Sequence, residues 1–198
     1  IKCGFKKQNI LAIIKKKTAI FISGRGSNLK NLIKFSKNKK SPIDIKLVIS
    51  DNFYAKGLVY AKKNKVISVV LRDKSKKLFE KKLLNYLKKY QINFICLAGF
   101  MRILSKNFIN KFGNKILNIH PSLLPKYKGL NTHQRVLKNK DKFSGCTVHY
   151  VDQNLDSGEI ILQKKIRVVK NDNIKSLEKK VLKIEHEIYP KSILKVLK

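Results

Sequence analysis

The chain has 198 residues, is 43% hydrophobic and carries a formal charge of +34. Its length and apolar content suit one domain with a proper core and exclude a disordered chain, while four prolines and nine glycines exclude a collagen-like or low-complexity polymer. The charge alone suggests a polyanion partner, but only five of the 46 basic residues are arginine (Arg25, Arg72, Arg102, Arg135, Arg167) and the lysines spread along the whole chain, so we read it as compositional drift of the solvated surface and expect no specific nucleic-acid partner.

In chain order, residues 1–17 read as a loosely ordered N-terminal extension and residues 18–198 as a single domain. The apolar run Ile10–Ile14 is too short for a signal-peptide core, and no apolar run is long enough to span a membrane. Thr18–Ser23 is a short apolar strand, followed by the turn GRGSN and then by LKNLIKF, whose Leu29, Leu32 and Ile33 have helical spacing. Ile43–Ser50 alternates as a strand does. A helix over YAKGLVYAKK is weakened by Gly57, and Val66–Leu71 is a β-branched strand. KKLFEKKLLNYLKKY places Phe79, Leu83, Leu87 and Tyr90 on one helical face. Ile92–Gly99 is a buried strand, Ser105 caps KNFINKF, and Lys115–Ile119 is the next strand. THQRVLKN is a short helix, and CTVHYV and IILQKKIRV are later strands. The last helix, ending at Tyr189, puts Ile174, Leu177, Val181, Ile184 and Ile188 on one face. Apolar strands alternating with amphipathic helices predict an α/β fold: an open, mostly parallel sheet with helices on both faces. Cys3, Cys96 and Cys146 are far apart and form no CxxC or Cys/His pair; they fit a reducing, cytoplasmic setting, with Cys96 and Cys146 as small core residues.

In such sheets ligands bind beyond the carboxyl ends of the strands, so chemistry is sought there. Three strand ends stand out. In SGRGSNLKNLI, Gly24 and Gly26 allow an anion to approach backbone N–H groups at a helix start, and Ser27 and Asn28 can cap the helix or donate hydrogen bonds; an ordinary tight turn explains the segment equally well. In LNIHPSLLP, period-two geometry puts Asn118 and His120 on one face of the strand, as an oxyanion-stabilising pair or as a core pair satisfied by backbone. In NLDSG, Asp156 is either an Asx-turn residue or a carboxylate that orients a histidine and favours its charged form. Glu185, on the edge of the last helix's apolar stripe, either pairs with a lysine or is partly buried and meets a donor or cationic ligand. His149 faces the cleft or packs; His133 and His186 read as structural.

Taken together, SGRGSNLKNLI, LAGFMRILS, LNIHPSLLPKYKGLNTH, GCTVHYVDQNLDSGEIILQ and EHEIYP resemble, in the same order, the phosphoribosylglycinamide formyltransferases, the folate-dependent transformylases of purine synthesis. The resemblance covers roughly residues 18–190. It implies a Rossmann-like formyltransferase fold and a catalytic group of Asn118, His120 and Asp156. It implies that the glycinamide ribonucleotide phosphate lies on Gly26, Ser27 and Asn28, that Glu185 holds the ribose or glycinamide side, and that Met101, Arg102, Ile103 and Leu104 line the folate pocket. Lys76 falls where the family usually has an arginine for the folate, Arg25 replaces a commoner Asn, and Asn131 replaces a common His. The implied cosubstrate is 10-formyltetrahydrofolate, with no metal, no membrane partner, and a monomer or homodimer as the working unit. Methionyl-tRNA formyltransferases share the Asn-x-His loop but usually carry Gly at the position of Pro121, and formyltetrahydrofolate hydrolases resemble the SGRGSN loop poorly.

Overall fold

The computed structural model describes residues 14–113 and 115–197. The expectation for the extension falls mostly on residues 1–13, outside the described residues, but the first strand starts earlier than the sequence reading placed it. β1 (Lys16–Ile22) begins two residues before Thr18, with Lys16 and Lys17 already in register with Ile43 and Asp44 of β2 (Ile43–Ser50). The elements then follow in order: α1 (Ser27–Ser36) between those two strands, α2 (Leu58–Lys63), β3 (Ile67–Val70), α3 (Lys76–Lys89), β4 (Phe94–Leu97), α4 (Lys106–Phe112), β5 (Ile116–His120), α5 (Thr132–Lys138), β6 (Phe143–Tyr150), β7 (Ile160–Arg167) and α6 (Ile174–Val196).

The strands form one sheet in the order β3-β2-β1-β4-β5-β6-β7. β1 to β5 run parallel, and β6 and β7 are added antiparallel. Alternate strand residues feed two cores, one on each side. Ile20, Ile22, Cys96, Leu117 and Ile119 pack under α1 and α6; Ala19, Phe21, Ile95, Leu97 and Ile116 pack under α3 and α4. The fold is therefore the expected α/β sheet covered on both faces. A bulge at Lys46 resets the alternation of β2, so that Ile43 and Ile45 share a face with Val48.

Two helices depart from the sequence reading. α2 is cut to six residues because Gly57 serves as its N-cap. α6 runs seven residues past Tyr189, straight through Pro190. Proline has no N–H for the His186 carbonyl one turn back. Here the Asn31 amide of α1 donates to that carbonyl at 2.8 Å, so the interior proline leaves no orphan acceptor there. Ile174, placed on the apolar face by periodicity, is 48% exposed and lines an open cleft instead of the core. Tyr189, just before Pro190, is fully buried, and its hydroxyl lies 2.9 Å from the Leu97 carbonyl and 3.2 Å from that of Leu117. That hydroxyl ties α6 to β4 and β5, the strands from which several cleft residues emerge.

Candidate functional site

The strand order reverses between β1 and β4, and a cleft of about 940 Å³ opens at the carboxyl ends of these strands and β5. Its wall includes Gly24–Asn28 after β1, Gly99–Leu104 after β4, Asn118 and His120 of β5, the loop around Asp156, and one face of α6. The turns after β1 and β4 are joined directly: Ser23 N–H donates to the Gly99 carbonyl at 3.0 Å, and Met101 N–H donates to the Ser23 hydroxyl at 2.8 Å.

Asn118, His120 and Asp156 come together. Asp156 adopts a left-handed backbone (φ 48°), a conformation Asp tolerates better than most side chains, and its carboxylate is 7% exposed. One oxygen accepts the Gly129 N–H at 2.9 Å and lies 3.3 Å from His120 Nδ1. The other lies 3.4 Å from Asn118 Nδ2. His120 Nε2 is 2.8 Å from the Tyr127 carbonyl, so both ring nitrogens face acceptors, and only the imidazolium donates to both.

His149 completes the group, a role that periodicity alone left open. β6 runs antiparallel to β5 and sets His149 opposite Asn118. His149 Nδ1 lies 2.7 Å from the Tyr150 carbonyl, which calls for a proton on that nitrogen and leaves Nε2 to accept from Asn118 Nδ2 at 3.2 Å. Burial lowers the His149 pKa, His120 pushes the same way, and the Tyr150 carbonyl and Asp156 oppose it. His149 is therefore suited to stay neutral and to fix the Asn118 amide.

At the other end of the cleft, Gly26 has a left-handed backbone (φ 73°) and packs on Gly57, so closely that a Cβ on Gly26 would collide with the Gly57 Cα. Two glycines in contact let the starts of α1 and α2 approach each other closely. Among the described residues no side chain caps α1, so its first-turn N–H groups are left for another acceptor. Asn28 is buried and donates to Glu185 at 2.7 Å, while its Oδ1 has no hydrogen-bond partner among the described residues. Burial raises the Glu185 pKa, against the Asn28 hydrogen bond and the nearby Arg25 charge. Arg25 also forms an ion pair with Glu178 of α6, a contact between residues too far apart in sequence to be foreseen.

Met101, Arg102, Ile103 and Leu104 line the cleft, and Lys76 does not; it sits exposed on the first turn of α3. Arg102 lies over the Phe79 ring and donates to the Asp73 carbonyl. Leu97, Ile103, Leu104 and Val151 give the cleft an apolar lining. Cys96 and Cys146 are fully buried free thiols, as expected of core residues, and burial pushes the Cys96 thiol up to about 12. Among the described residues, no helix is long and apolar enough to cross a membrane, and no group of three or more His, Cys, Asp or Glu is placed to hold a metal.

Comparison with known proteins gives the same direction. The formyl transferase family model matches residues 16–193. Phosphoribosylglycinamide formyltransferase of Haemophilus influenzae is 42% identical over 178 residues, covering 88% of this chain and 84% of that protein. The trifunctional purine biosynthetic protein adenosine-3 of Chironomus tentans is 41% identical over 196 residues, covering 96% of this chain, which spans only 14% of that longer relative. The crystal structure of phosphoribosylglycinamide formyltransferase from Brucella melitensis superposes with a TM-score of 0.88 at 40% identity, covering 92% of this chain and 96% of that one.

Proposed function

Because the chain belongs to the formyl transferase family, we propose that it transfers the formyl group of 10-formyltetrahydrofolate to the glycine amine of glycinamide ribonucleotide, a step of purine synthesis. The observation that carries this reading is the pairing, in one cleft, of an uncapped helix start beside Gly26 with the buried Asn118–His120–Asp156 group. The first suits a ribonucleotide phosphate on Gly26, Ser27 and Asn28, with Glu185 on the ribose or glycinamide side. The second suits an acyl transfer. The wall from Met101 to Leu104 receives the folate.

In this mechanism the amine attacks the formyl carbon and a tetrahedral oxyanion develops. The protonated His120 donates to that oxygen, as does the Asn118 amide, which His149 orients and which gives up its 3.4 Å contact with Asp156. His120 does so by exchanging its contact with the Tyr127 carbonyl, while Asp156 keeps the ring in place through Nδ1. A proton then passes from the attacking ammonium through water to the folate nitrogen, with Asp156 and His120 as the acid–base pair, and the oxyanion collapses to break the formyl carbon's bond to that nitrogen. No covalent enzyme intermediate is required.

His120→Ala tests the assignment. Loss of one oxyanion donor is expected to lower kcat by on the order of 100–1,000-fold, with native circular dichroism at the assay temperature. Near-normal turnover in a folded variant would remove His120 from the mechanism.

A further inference from the structure

Arg25 stands at the tip of the turn between Gly24 and Gly26, and its only charged partner among the described residues is Glu178. Its side chain is 70% exposed, so the pair adds little to stability and exchanges readily. Its position is more telling. Arg25, Glu178, Asn28 and Glu185 all line the same cleft, beside the uncapped first turn of α1. Asn28 is 7% exposed with an unpartnered Oδ1 there, a second sign of a polar ligand at this end of the cleft, one that also carries a hydrogen-bond donor beside its phosphate. The Glu178 carboxylate would repel an anion entering at this point if no cation lay beside it.

We infer that Arg25 is a ligand for the phosphate of the acceptor substrate and that Glu178 holds it until the phosphate arrives. When a phosphomonoester settles on the α1 N–H groups, the guanidinium leaves Glu178 and closes on the phosphate oxygens with its planar fork. Glu178 thus competes with the substrate for one cation, and the exchange offsets part of the binding free energy. The inference rests on the proposed function and deepens it by assigning a phosphate contact that the family resemblance did not place.

Two measurements on the full chain decide it: calorimetric binding of ribose 5-phosphate, and initial rates with glycinamide ribonucleotide. Arg25→Asn is expected to raise both the Kd for ribose 5-phosphate and the KM for glycinamide ribonucleotide by on the order of 10-fold, the effect of losing one charged hydrogen bond. kcat and the KM for the formyl donor should move far less. Arg25→Lys should recover part of the affinity, since it restores charge without the fork. Glu178→Gln should tighten phosphate binding, a sign opposite to that of a structural brace. Unchanged ribose 5-phosphate affinity in Arg25→Asn, or weaker binding in Glu178→Gln, would overturn the inference. A wild-type chain that binds ribose 5-phosphate through Arg25 but formylates no glycinamide ribonucleotide would instead sink the proposed function alone.

Discussion

Asp156→Asn isolates one charge. The substitution keeps the volume of the side chain but removes the anion that faces His120 Nδ1 at 3.3 Å and accepts the Gly129 N–H at 2.9 Å. An asparagine cannot satisfy this pocket. If its oxygen keeps Gly129 and His120, its amide turns toward Asn118 Nδ2, a donor 3.4 Å from the present carboxylate oxygen. If it flips, the amide meets the Gly129 N–H and His120 instead. Either way donors face one another in a site where the carboxylate is 7% exposed. Losing a hydrogen bond to a charged group is worth about 1.5–3 kcal/mol, or roughly 10- to 150-fold in rate. We expect kcat/KM for formyl transfer to glycinamide ribonucleotide to fall by roughly 10- to 150-fold, with native circular dichroism. The assay follows the absorbance change as 10-formyltetrahydrofolate loses its formyl group. A folded Asp156→Asn variant within about 3-fold of wild type would refute the idea that this charge holds His120 for catalysis.

Other predictions address stability. Glu185 has its folded-state pKa raised by burial, so the folded protein prefers its neutral form. Below pH 4.5, the ordinary value, Glu185 is neutral in both states and Glu185→Gln should match wild type. As pH rises through the folded pKa, wild type loses stability that the variant keeps, so the variant should melt higher at neutral pH; equal midpoints across that range would contradict the burial argument. Asn31→Ala should destabilise the protein by about 1 kcal/mol, because the His186 carbonyl then has neither the Asn31 amide nor a residue-190 N–H. Adding Pro190→Ala should shrink that loss by supplying a backbone donor. Denaturant titration of the two single variants and the double variant checks this, and strict additivity would refute it.

That Asn118 and His120 share one face at the end of β5 was legible because period-two geometry is local. Asn118 and His120 fall on the face opposite Ile119, as the spacing requires. The role of His149 was not legible in the same way. It depends on β6 reversing direction to place His149 opposite Asn118, and nothing in CTVHYV encodes strand direction. Arg25 with Glu178, and Asn31 with His186, are contacts between α1, or the turn before it, and α6 at opposite ends of the chain. Helical spacing identifies each helix but not which helices meet. The continuation of α6 through Pro190 is not legible locally, because proline usually ends or kinks a helix and the side chain that takes over its missing donor comes from another element. Lys76 was placed by resemblance, and the first turn of α3 carries it away from the cleft.

The most direct test of the account is formyl transfer by the purified chain, with 10-formyltetrahydrofolate as donor and glycinamide ribonucleotide, charged initiator tRNA or water as acceptor in parallel reactions. The account predicts formylated glycinamide ribonucleotide as the product, with little turnover in the other two. Formyl-methionyl-tRNA as the main product, or release of formate regardless of acceptor, would contradict it.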